Sequence, residues 1–560
     1  MAANHMRLLK ILLSIFALKL CFLMLLYYQH AAEQEQQEQL QRRQRYMETL
    51  DKLLIDTREK PSLEQRLAAI REELPAFPLE EMLRHERLHG VPKGCARTPP
   101  LYDIKFHNDY WQQAPADNLT YYLFGAYYDN RAAVEEAPLV RILAMSNRYG
   151  VRGVVKFPQV YCQLWFKDNL EPLIVNVTDH KILWIFGGGP KNVYPTLLSC
   201  ALPKSNNKTQ LVPQMVSLVA KRCQAAKNLL RVVNNNKRSS QPVSASNRNQ
   251  TELKFMICVK AMDFPYVDLS WRLIEWLEMM RLLGAHKVVF YDAQMHANMS
   301  KVIRHYMQDD FVELHPMSHG RGEPHATPHF AHFAMEADYF NRILNEMIPY
   351  NDCFYRNMYN YDYIGVFDID EIIMPLGNLS NWSQLIDVAQ RAPDYQRDSS
   401  HCKQWASFCF RNVYFPRYAQ QPKIFKYLPS FYYMLQHVDR VAEHSDRYSA
   451  TKCLHSTRYV EGLHNHFPFF YTKRASCDAK SVPIQYAQMQ HYREPDNKTH
   501  LLHPVRDDNI WRFQPQLQQR VFAKYEQLGF LPTLEQLAAA QAARKRNDEQ
   551  QLKAAIGATH

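Results

Sequence analysis

The 560-residue chain has little glycine and no long run of basic residues. Only 16 residues are glycine, which excludes a collagen-like or glycine-rich repeat protein. The 67 Lys and Arg exceed the 56 Asp and Glu only modestly, and no basic block is longer than Arg544-Lys545-Arg546. Proteins that bind nucleic acids carry a clustered basic face, so we expect no nucleic-acid partner.

Sequence motifs of several enzyme classes are also missing. The chain has no C-x-x-C pair, which argues against a zinc ribbon or a thiol redox motif. It has no G-x-x-x-x-G-K-[ST] loop, which argues against kinases and sulfotransferases of the P-loop type. Hydrophobic residues make up 46% of the chain and aromatic residues 12%. This composition excludes a mainly disordered chain, and the length suggests two to four domains.

One long hydrophobic run stands near the N-terminus, at residues 11–28, with Lys19 as its only charge. Eleven of its 18 residues are Leu, Ile or Phe, whose favourable insertion outweighs the cost of the central lysine. Arg7 and Lys10 precede the run and three glutamates follow it within ten residues. The positive-inside rule therefore predicts a cytosolic tail at residues 1–10 and a single-pass type II signal anchor. A cleaved signal peptide is the alternative.

Two further features predict that the body of the chain lies in the secretory lumen. Ten cysteines lie beyond the predicted anchor, an even set that is typical of an oxidising compartment. Eight Asn-x-Ser/Thr glycosylation sequences all lie beyond residue 100. They are Asn118, Asn176, Asn207, Asn249, Asn298, Asn378, Asn381 and Asn497.

Composition divides the rest of the chain into segments. Residues 29–117 are rich in Gln, Glu and Arg and are predicted to form a partly helical stem. A weak heptad pattern there leaves a homodimer through the stem open. Residues 118–233 contain strand-like β-branched and aromatic segments and predict a β-rich subdomain. The Ser- and Asn-rich residues 234–253 predict a linker, and residues 532–560 a C-terminal tail or terminal helix.

Residues 254–531 show an α/β pattern. Apolar runs at 254–260 and 287–291 predict buried strands, and helical spacing between them predicts a helix over 268–283. A long helix is expected over about 328–347. Strands that alternate with helices predict an α/β fold with a sheet that is mainly parallel.

The strongest candidate site follows the apolar run 364–367. Asp368 and Asp370 alternate with Ile369, and on an extended strand alternate side chains point the same way. Two carboxylates at the end of a buried strand would repel each other, and a divalent cation such as Mg²⁺ or Mn²⁺ would remove that conflict. Two solvated turn carboxylates are the alternative, because D-x-D is a weak motif by itself.

Four segments in this order resemble glycosyltransferase family 92, the former DUF23 group. They are CVKAMDFPYVDLSWRLIEWLEMMRLLGAHKVVFY (258–291), NDCFYRNMYNYDYIGVFDIDEIIMP (351–375), KCLHSTRYVEGLHNHFPF (452–469) and HYRE (491–494), and the upstream GAYYDNR (125–131) also resembles the family. The resemblance spans roughly residues 118–500. It implies a GT-A-type nucleotide-sugar fold in a Golgi type II membrane protein. It also implies transfer of galactose from UDP-galactose, similar to a β-1,4-galactosyltransferase that acts on the core fucose of N-glycans.

The resemblance also implies roles for single residues. Asp368 and Asp370 match the D-x-D motif and would hold Mn²⁺ or Mg²⁺ against the diphosphate of the UDP-sugar donor. His491, in the late H-Y-R motif, is the expected third metal ligand. His464 and His466 are rivals for that role.

Three further residues are candidates for binding the donor. Arg493 would neutralise the diphosphate, with a surface ion pair to Glu494 as the alternative. Lys260 and Asp292 end the first two predicted strands, where a GT-A fold contacts the nucleotide. A helix cap or a salt bridge is the other explanation for each of these two.

Inverting transfer needs a general base near the acceptor hydroxyl. Glu371 is our candidate, with Asp439, Glu461 and Asp446 as rivals, and Glu371 could instead support the metal site or cap the following turn. Cys353 is expected to form half of a disulfide rather than to act as a nucleophile.

The aromatic cluster 467–471 could stack on a sugar, with strand core as the alternative. The hypothesis is therefore a metal-dependent glycosyltransferase that acts on a glycan acceptor of a glycoprotein or glycolipid. The alternative is an inactive, membrane-anchored lumenal glycan-binding or scaffold protein.

Overall fold

The structure is a computed structural model. It describes residues 2–56, 60–88, 94–147, 157–187, 189, 191–204, 212–236, 253–320, 326–392, 402–416 and 431–557. The predicted linker lies largely outside these residues, as do the glycosylation sequences at Asn207 and Asn249. The chain divides into two compact units, residues 1–69 and residues 70–560.

The first unit is dominated by one helix, α1 (Ala2–Asp56). Its segment Leu9–Leu54 has a mean hydropathy of 2.4 over its most apolar stretch, and none of that stretch is buried by protein. Within the described residues this is the one helix that is long and apolar enough to cross a membrane. Exposed Leu, Ile and Phe side chains along it need an apolar environment, so the helix suggests a membrane anchor, as predicted.

The second unit begins with a ring of strands. In the described part of the chain, β2 to β8 follow one another in the order β2-β3-β6-β5-β4-β7-β8, the pairing of β2 with β8 closes the ring, and β1 adds to β2. Closure leaves few unpaired strand edges. The bounds are β1 Gln112–Ala116, β2 Leu119–Asp129, β3 Leu139–Ser146, β4 Tyr161–Trp165, β5 Leu173–Ile182, β6 Tyr194–Ala201, β7 Met215–Val219 and β8 Leu230–Val233.

Part of the predicted stem packs against this ring. Helices α2 (Leu63–Glu73) and α3 (Leu79–Glu86) precede the strands. Phe77 and Met82 are buried in one cluster with Trp165 and Met215. The folded unit therefore extends further toward the N-terminus than composition indicated, because a few apolar anchors in a polar segment are enough to dock it.

The α/β part that follows confirms the predicted fold class. A sheet of seven described strands has the order β11-β10-β9-β12-β17-β14-β20. Strands β9 to β12 are parallel, and β17 runs antiparallel to both β12 and β14. Its strands are β9 Phe255–Phe264, β10 Ala285–Met295, β11 Val312–Pro316, β12 Tyr363–Val366, β14 Trp405–Phe410, β17 Lys452–Ser456 and β20 Cys477–Ser481.

Smaller sheets and the helices complete this part. The other strands are β13 Glu371–Pro375, β15 Asn412–Tyr414, β16 Asp439–Arg440, β18 Val460–Leu463, β19 Pro468–Tyr471, β21 Ala487–His491 and β22 Val505–Arg506. The helices are α4 Ser270–Leu283, α5 Ala297–Met307, α6 Pro328–Ala337, α7 Tyr339–Asn345, α8 Met347–Asn357, α9 Trp382–Arg391, α10 Tyr433–Gln436, α11 Gln514–Gln527 and α12 Leu534–Gly557. Short 3₁₀ helices cover Leu101–Asp103, Lys498–Leu502 and Asn509–Phe513.

The long helix predicted over 328–347 is wrong. Three shorter helices, α6 to α8, occupy this stretch and extend beyond it. Asp338 leaves the helical conformation, and its side chain accepts a hydrogen bond from the Asn341 N–H, so it caps a new helix. Apolar spacing continues across the break, which is why periodicity alone does not reveal it.

The cysteines behave as an oxidising compartment predicts. Ten of the described cysteines form the pairs Cys95–Cys223, Cys162–Cys200, Cys258–Cys353, Cys402–Cys477 and Cys409–Cys453. Cys353 is thus half of a disulfide, as expected, and its bond ties β9 to α8. The disulfides together with α1 suggest a membrane-anchored protein of the secretory pathway.

Candidate active site

The D-x-D carboxylates lie in a turn, not on an extended strand as predicted. Strand β12 ends at Val366, and β13 begins at Glu371. The Glu371 N–H donates to the Asp368 carbonyl at 3.0 Å, which closes the turn. Both carboxylates still face the same cavity, because a tight turn brings its corner residues together.

This cavity, which we call the D-x-D cavity, has a volume of about 440 Å³. It lies where β9 and β12 end, side by side and parallel. In an open α/β sheet, ligands bind beyond the carboxyl ends of the strands. The residues that line it are Val259, Lys260, Met262, Phe264, Leu269, Arg272, Asp368, Ile369, Asp370, Glu371, Asn465, His466, His491 and Arg493. Six of the seven predicted site residues therefore meet here.

Lys260 is the immediate counter-charge of Asp368. Its Nζ lies 3.2 Å from Asp368 Oδ2 and 3.5 Å from Glu346 Oε1. Burial raises the pKa of Asp368, but Lys260, Lys452 and His491 together lower it by a larger amount, so the pKa lies well below its usual value. Asp368 therefore stays ionised. The pKa of Glu346 is raised by burial despite the nearby Lys260.

Glu371 is held from two sides. Its Oε2 accepts a hydrogen bond from the Asp368 N–H at 2.8 Å and lies 2.9 Å from Lys452 Nζ. Both side chains of this ion pair are almost completely buried. Burial raises the pKa of Glu371, Lys452 lowers it, and Asp368 raises it again, for a net increase. These contacts favour a turn-capping role for Glu371, and the general-base role stays a prediction.

His491 reaches the site through strand pairing. It is the last residue of β21, and its backbone lies opposite Glu371 of β13. Its Nε2 lies 3.6 Å from Asp370 Oδ2 and 3.7 Å from Glu371 Oε1, and its ring stacks on Tyr414 at 5.3 Å. Of the two rival histidines, His466 lines the cavity and His464 does not.

The donor set suits a divalent cation, although it is not arranged as a closed metal site. Among the described residues, no three His, Cys, Asp or Glu side chains already form such a site, and Asp368 is paired with Lys260. However, the buried Oδ1 of Asp368 has no hydrogen-bond partner in the described part of the chain. Lys260 pairs with Asp368 and Glu346, Lys452 pairs with Glu371, and His491 Nε2 lies 3.6 Å from Asp370 Oδ2. Asp368 and Asp370 converge on one cavity, and a divalent cation bound there would remove the repulsion between the two carboxylates.

Two arginines add positive charge to the cavity wall. Arg272, in the first turn of α4, lies 3.9 Å from the centre of the Tyr433 ring. Arg493 lies over Tyr414 at 5.2 Å and donates to Asp496 Oδ1 at 2.8 Å. The exposed ion pair that sequence suggested for Arg493 is thus made with Asp496. Guanidinium groups in such positions suit phosphate oxygens.

Asp292 is the predicted site residue that the fold places elsewhere. Strand β10 continues past it to Met295, and its side chain lines a neighbouring cavity of about 440 Å³ beside Asp263, His319 and His332. Burial raises its pKa, which Arg304 partly offsets.

The rival bases also lie outside the D-x-D cavity. Asp439 pairs with Arg506 at 3.3 Å, Glu461 pairs with Arg141 at 2.8 Å, and Asp446 is exposed. Of the four carboxylates considered from sequence, only Glu371 lines the cavity.

Sequence reasoning missed Glu346, Lys452, Arg272 and Asn465. Glu346 and Arg272 are polar positions at helix starts, where no motif distinguishes them. Lys452 begins a short strand whose other residues are all buried, and a lysine in such a strand is an available signal, because buried lysines need partners. Asn465 accepts a hydrogen bond from Lys452, a contact that only the fold creates.

Comparison with known proteins agrees with this geometry. No curated protein matches the chain. Residues 254–528, just under half of the chain, match the model of glycosyltransferase family 92. The matched segment contains the seven-stranded sheet, the D-x-D turn and His491. Over these residues the chain is similar to glycosyltransferase family 92, which supports a glycosyltransferase.

Proposed function

We propose that the protein is a metal-dependent glycosyltransferase that uses a UDP-sugar as donor and a glycan as acceptor. The observation that carries the proposal is the D-x-D cavity, where Asp368 and Asp370 converge beside basic side chains and where Asp368 Oδ1 has no hydrogen-bond partner among the described residues. Its volume of about 440 Å³ is within the range of about 300–1,000 Å³ that is usual for ligand sites.

The strand order supports a GT-A assignment. Numbered by position along the chain, the sheet strands have the order 3-2-1-4-6-5-7, with the sixth antiparallel to its neighbours. The D-x-D turn directly follows the fourth strand, in the middle of the sheet. This is the arrangement that we expect of a nucleotide-sugar fold with a central metal-binding turn.

Asp368, Asp370 and His491 are the residues that would hold Mn²⁺ or Mg²⁺. When bound, the metal would stabilise the negative charge that develops on the leaving diphosphate. The imidazole of His491 favours Mn²⁺ over Mg²⁺, since Mg²⁺ prefers oxygen ligands. Lys452 neutralises Glu371 beneath the turn and thereby holds the turn in shape.

The basic side chains have a separate task. Arg272 and Arg493 both lie over aromatic rings, which orients their guanidinium groups, and Arg493 also pairs with the exposed Asp496. We expect them to bind the diphosphate. Lys260 pairs with Asp368 and Glu346, and it would turn to the diphosphate once a metal takes over the charge of Asp368.

The donor, the acceptor and the location are finer parts of the proposal. UDP-galactose is the donor and an N-glycan is the acceptor that the family resemblance favours. The apolar helix α1 and the disulfides support a single-pass type II protein with its catalytic part in the Golgi lumen, in which a homodimer through the stem is possible.

The test is ligand-linked stability of the full-length, detergent-solubilised chain. MnCl₂ together with UDP should raise the midpoint of thermal unfolding, since a ligand at 100 times its dissociation constant stabilises by about 2.7 kcal/mol. UDP alone and MnCl₂ alone are the controls, and both should shift the midpoint less. A panel of UDP-sugars, assayed for release of UDP, then identifies the donor.

Two results would contradict the proposal. One is a chain that shows no response to MnCl₂ with UDP and no UDP release from any donor in the panel. The other is full UDP release in excess EDTA, which would remove the metal from the mechanism.

A further inference from the structure

A continuous series of aromatic rings crosses the boundary between the strand ring and the α/β part. We call Phe467, His464, Trp184, Phe186 and Phe340 the aromatic band. Successive ring centres along it are 4.7, 4.5, 4.8 and 5.6 Å apart. Apart from His464, which is buried, its members are partly or largely exposed.

One end of the band adjoins the D-x-D cavity along the chain. Asn465 and His466 line that cavity, and in the chain they lie between His464 and Phe467 of the band. The His466 N–H donates to His464 Nδ1 at 3.2 Å. The segment 464–467 therefore connects the band with the cavity.

The band is held in a defined shape. Gly187 has a φ of +69°, and a Cβ atom there would lie only 2.0 Å from the Phe340 ring. The backbone that follows Phe186 is thus pressed against α7, a contact that only glycine permits. Trp184 and Phe186 directly follow β5 of the strand ring and lie outside the residues that match the family. The segment after β5 of the strand ring therefore contributes two rings to the band.

The chemistry of the band suits a carbohydrate. Aromatic faces pack against the C–H face of a sugar ring, whereas neighbouring polar groups bond its hydroxyls. Polar groups are present here in the Asn465 amide and the His466 ring, both of which line the D-x-D cavity. Phe340 is 40% exposed, and a contiguous exposed apolar patch marks an interaction site.

We propose that the aromatic band binds the glycan acceptor and directs its hydroxyl group into the D-x-D cavity. This inference rests on the proposed transferase function, because it takes the D-x-D cavity as the site of the donor. It assigns the strand ring a role in acceptor recognition, separate from the part that holds the donor.

The test measures glycan binding and donor binding in the same variants. Fluorescently labelled N-glycans released from immunoglobulin are applied to the immobilised full-length chain in detergent. Phe340→Ala and Trp184→Ala should weaken retention by about tenfold or more, as truncation of an aromatic anchor does. Phe522→Ala is the matched control, because Phe522 is 50% exposed on α11 and outside the band. All three variants should keep the thermal shift with MnCl₂ and UDP.

Each outcome decides one of the two proposals. If the wild-type chain responds to MnCl₂ with UDP but retains no glycan, or if Phe340→Ala retains glycans as well as Phe522→Ala does, the band is not the acceptor site. If the wild-type chain does not respond to MnCl₂ with UDP, the donor proposal fails, and dependence of retention on Phe340 alone decides whether the band binds glycans. Because Phe340 is 40% exposed whereas Trp184 is more deeply buried, the Phe340 variant tests the band even if Trp184→Ala does not fold.

Discussion

The ion pair beneath the D-x-D turn gives the sharpest prediction. Lys452 and Glu371 are 1% and 3% exposed, with 2.9 Å between Nζ and Oε2. Removal of one partner of such a pair leaves the other charge buried and unpaired, which costs about 3–5 kcal/mol. Lys452→Met and Glu371→Gln should each lower the free energy of unfolding by about that amount. The loss should be larger for Lys452→Met, because Glu371 would then face Asp368 and Asp370 without a counter-charge.

The double variant separates structure from chemistry. With both charges absent, most of the stability should return, because a buried pair replaced by neutral groups of similar size is often close to neutral. Glutamine keeps an oxygen that can accept the Asp368 N–H. If Glu371 only caps the turn, the double variant should retain UDP-sugar transfer within about tenfold of the wild type, whereas loss of a general base costs about 10²–10⁴-fold.

The assays are guanidinium unfolding followed by tryptophan fluorescence and UDP release at saturating donor. If either single variant loses less than about 1 kcal/mol, or if the double variant is no more stable than the weaker single variant, the reasoning about the buried pair is refuted. A double variant that is stable but inactive would instead make Glu371 the base, as predicted from sequence.

Other predictions follow from the same contacts. Asp370→Asn should abolish the thermal shift with MnCl₂ and UDP, whereas its unfolding midpoint without ligands should stay within a few degrees of the wild type. The exposed control Asp446→Asn should change neither the thermal shift nor the midpoint. Burial raises the pKa of Asp129, but its ion pair with Arg131 outweighs this effect and lowers the pKa to about 2. Because this pKa is depressed in the folded state, ionised Asp129 adds about 2 kcal/mol to the free energy of unfolding above pH 4, and this contribution is lost as the pH falls toward 2. The stability gap to Asp129→Asn should therefore narrow over that window in urea unfolding at stepped pH. The Cys258–Cys353 bond closes a loop with a sequence separation of 95, so its double serine variant should lose about 4–5 kcal/mol, and equal stability of oxidised wild type and variant would contradict the pairing.

The sequence by itself determined the properties that depend on local pattern. Hydropathy and flanking charge predicted the apolar N-terminal helix, since membrane insertion responds to composition over one helix. Alternating strands and helices predicted the α/β class, because the period of the apolar residues and the residues that form turns are local properties of the sequence. Helical spacing predicted a helix over 268–283, and α4 covers Ser270–Leu283, followed by Gly284 in the left-handed conformation. The D-x-D motif identified two cavity residues before any fold was known.

Only the tertiary structure decided which distant residues share the cavity. His491 lies opposite Glu371 because β21 pairs with β13 in that register, and a register cannot be read from either strand alone. Lys452 becomes a partner of Glu371 because β17 pairs with β12, whereas Asp292 moves to another cavity because β10 runs three residues further than its apolar core suggested. Contacts between strands far apart in sequence depend on the summed packing of the whole sheet. The chemistry of single residues can therefore be predicted from the sequence, whereas their assembly into one site cannot.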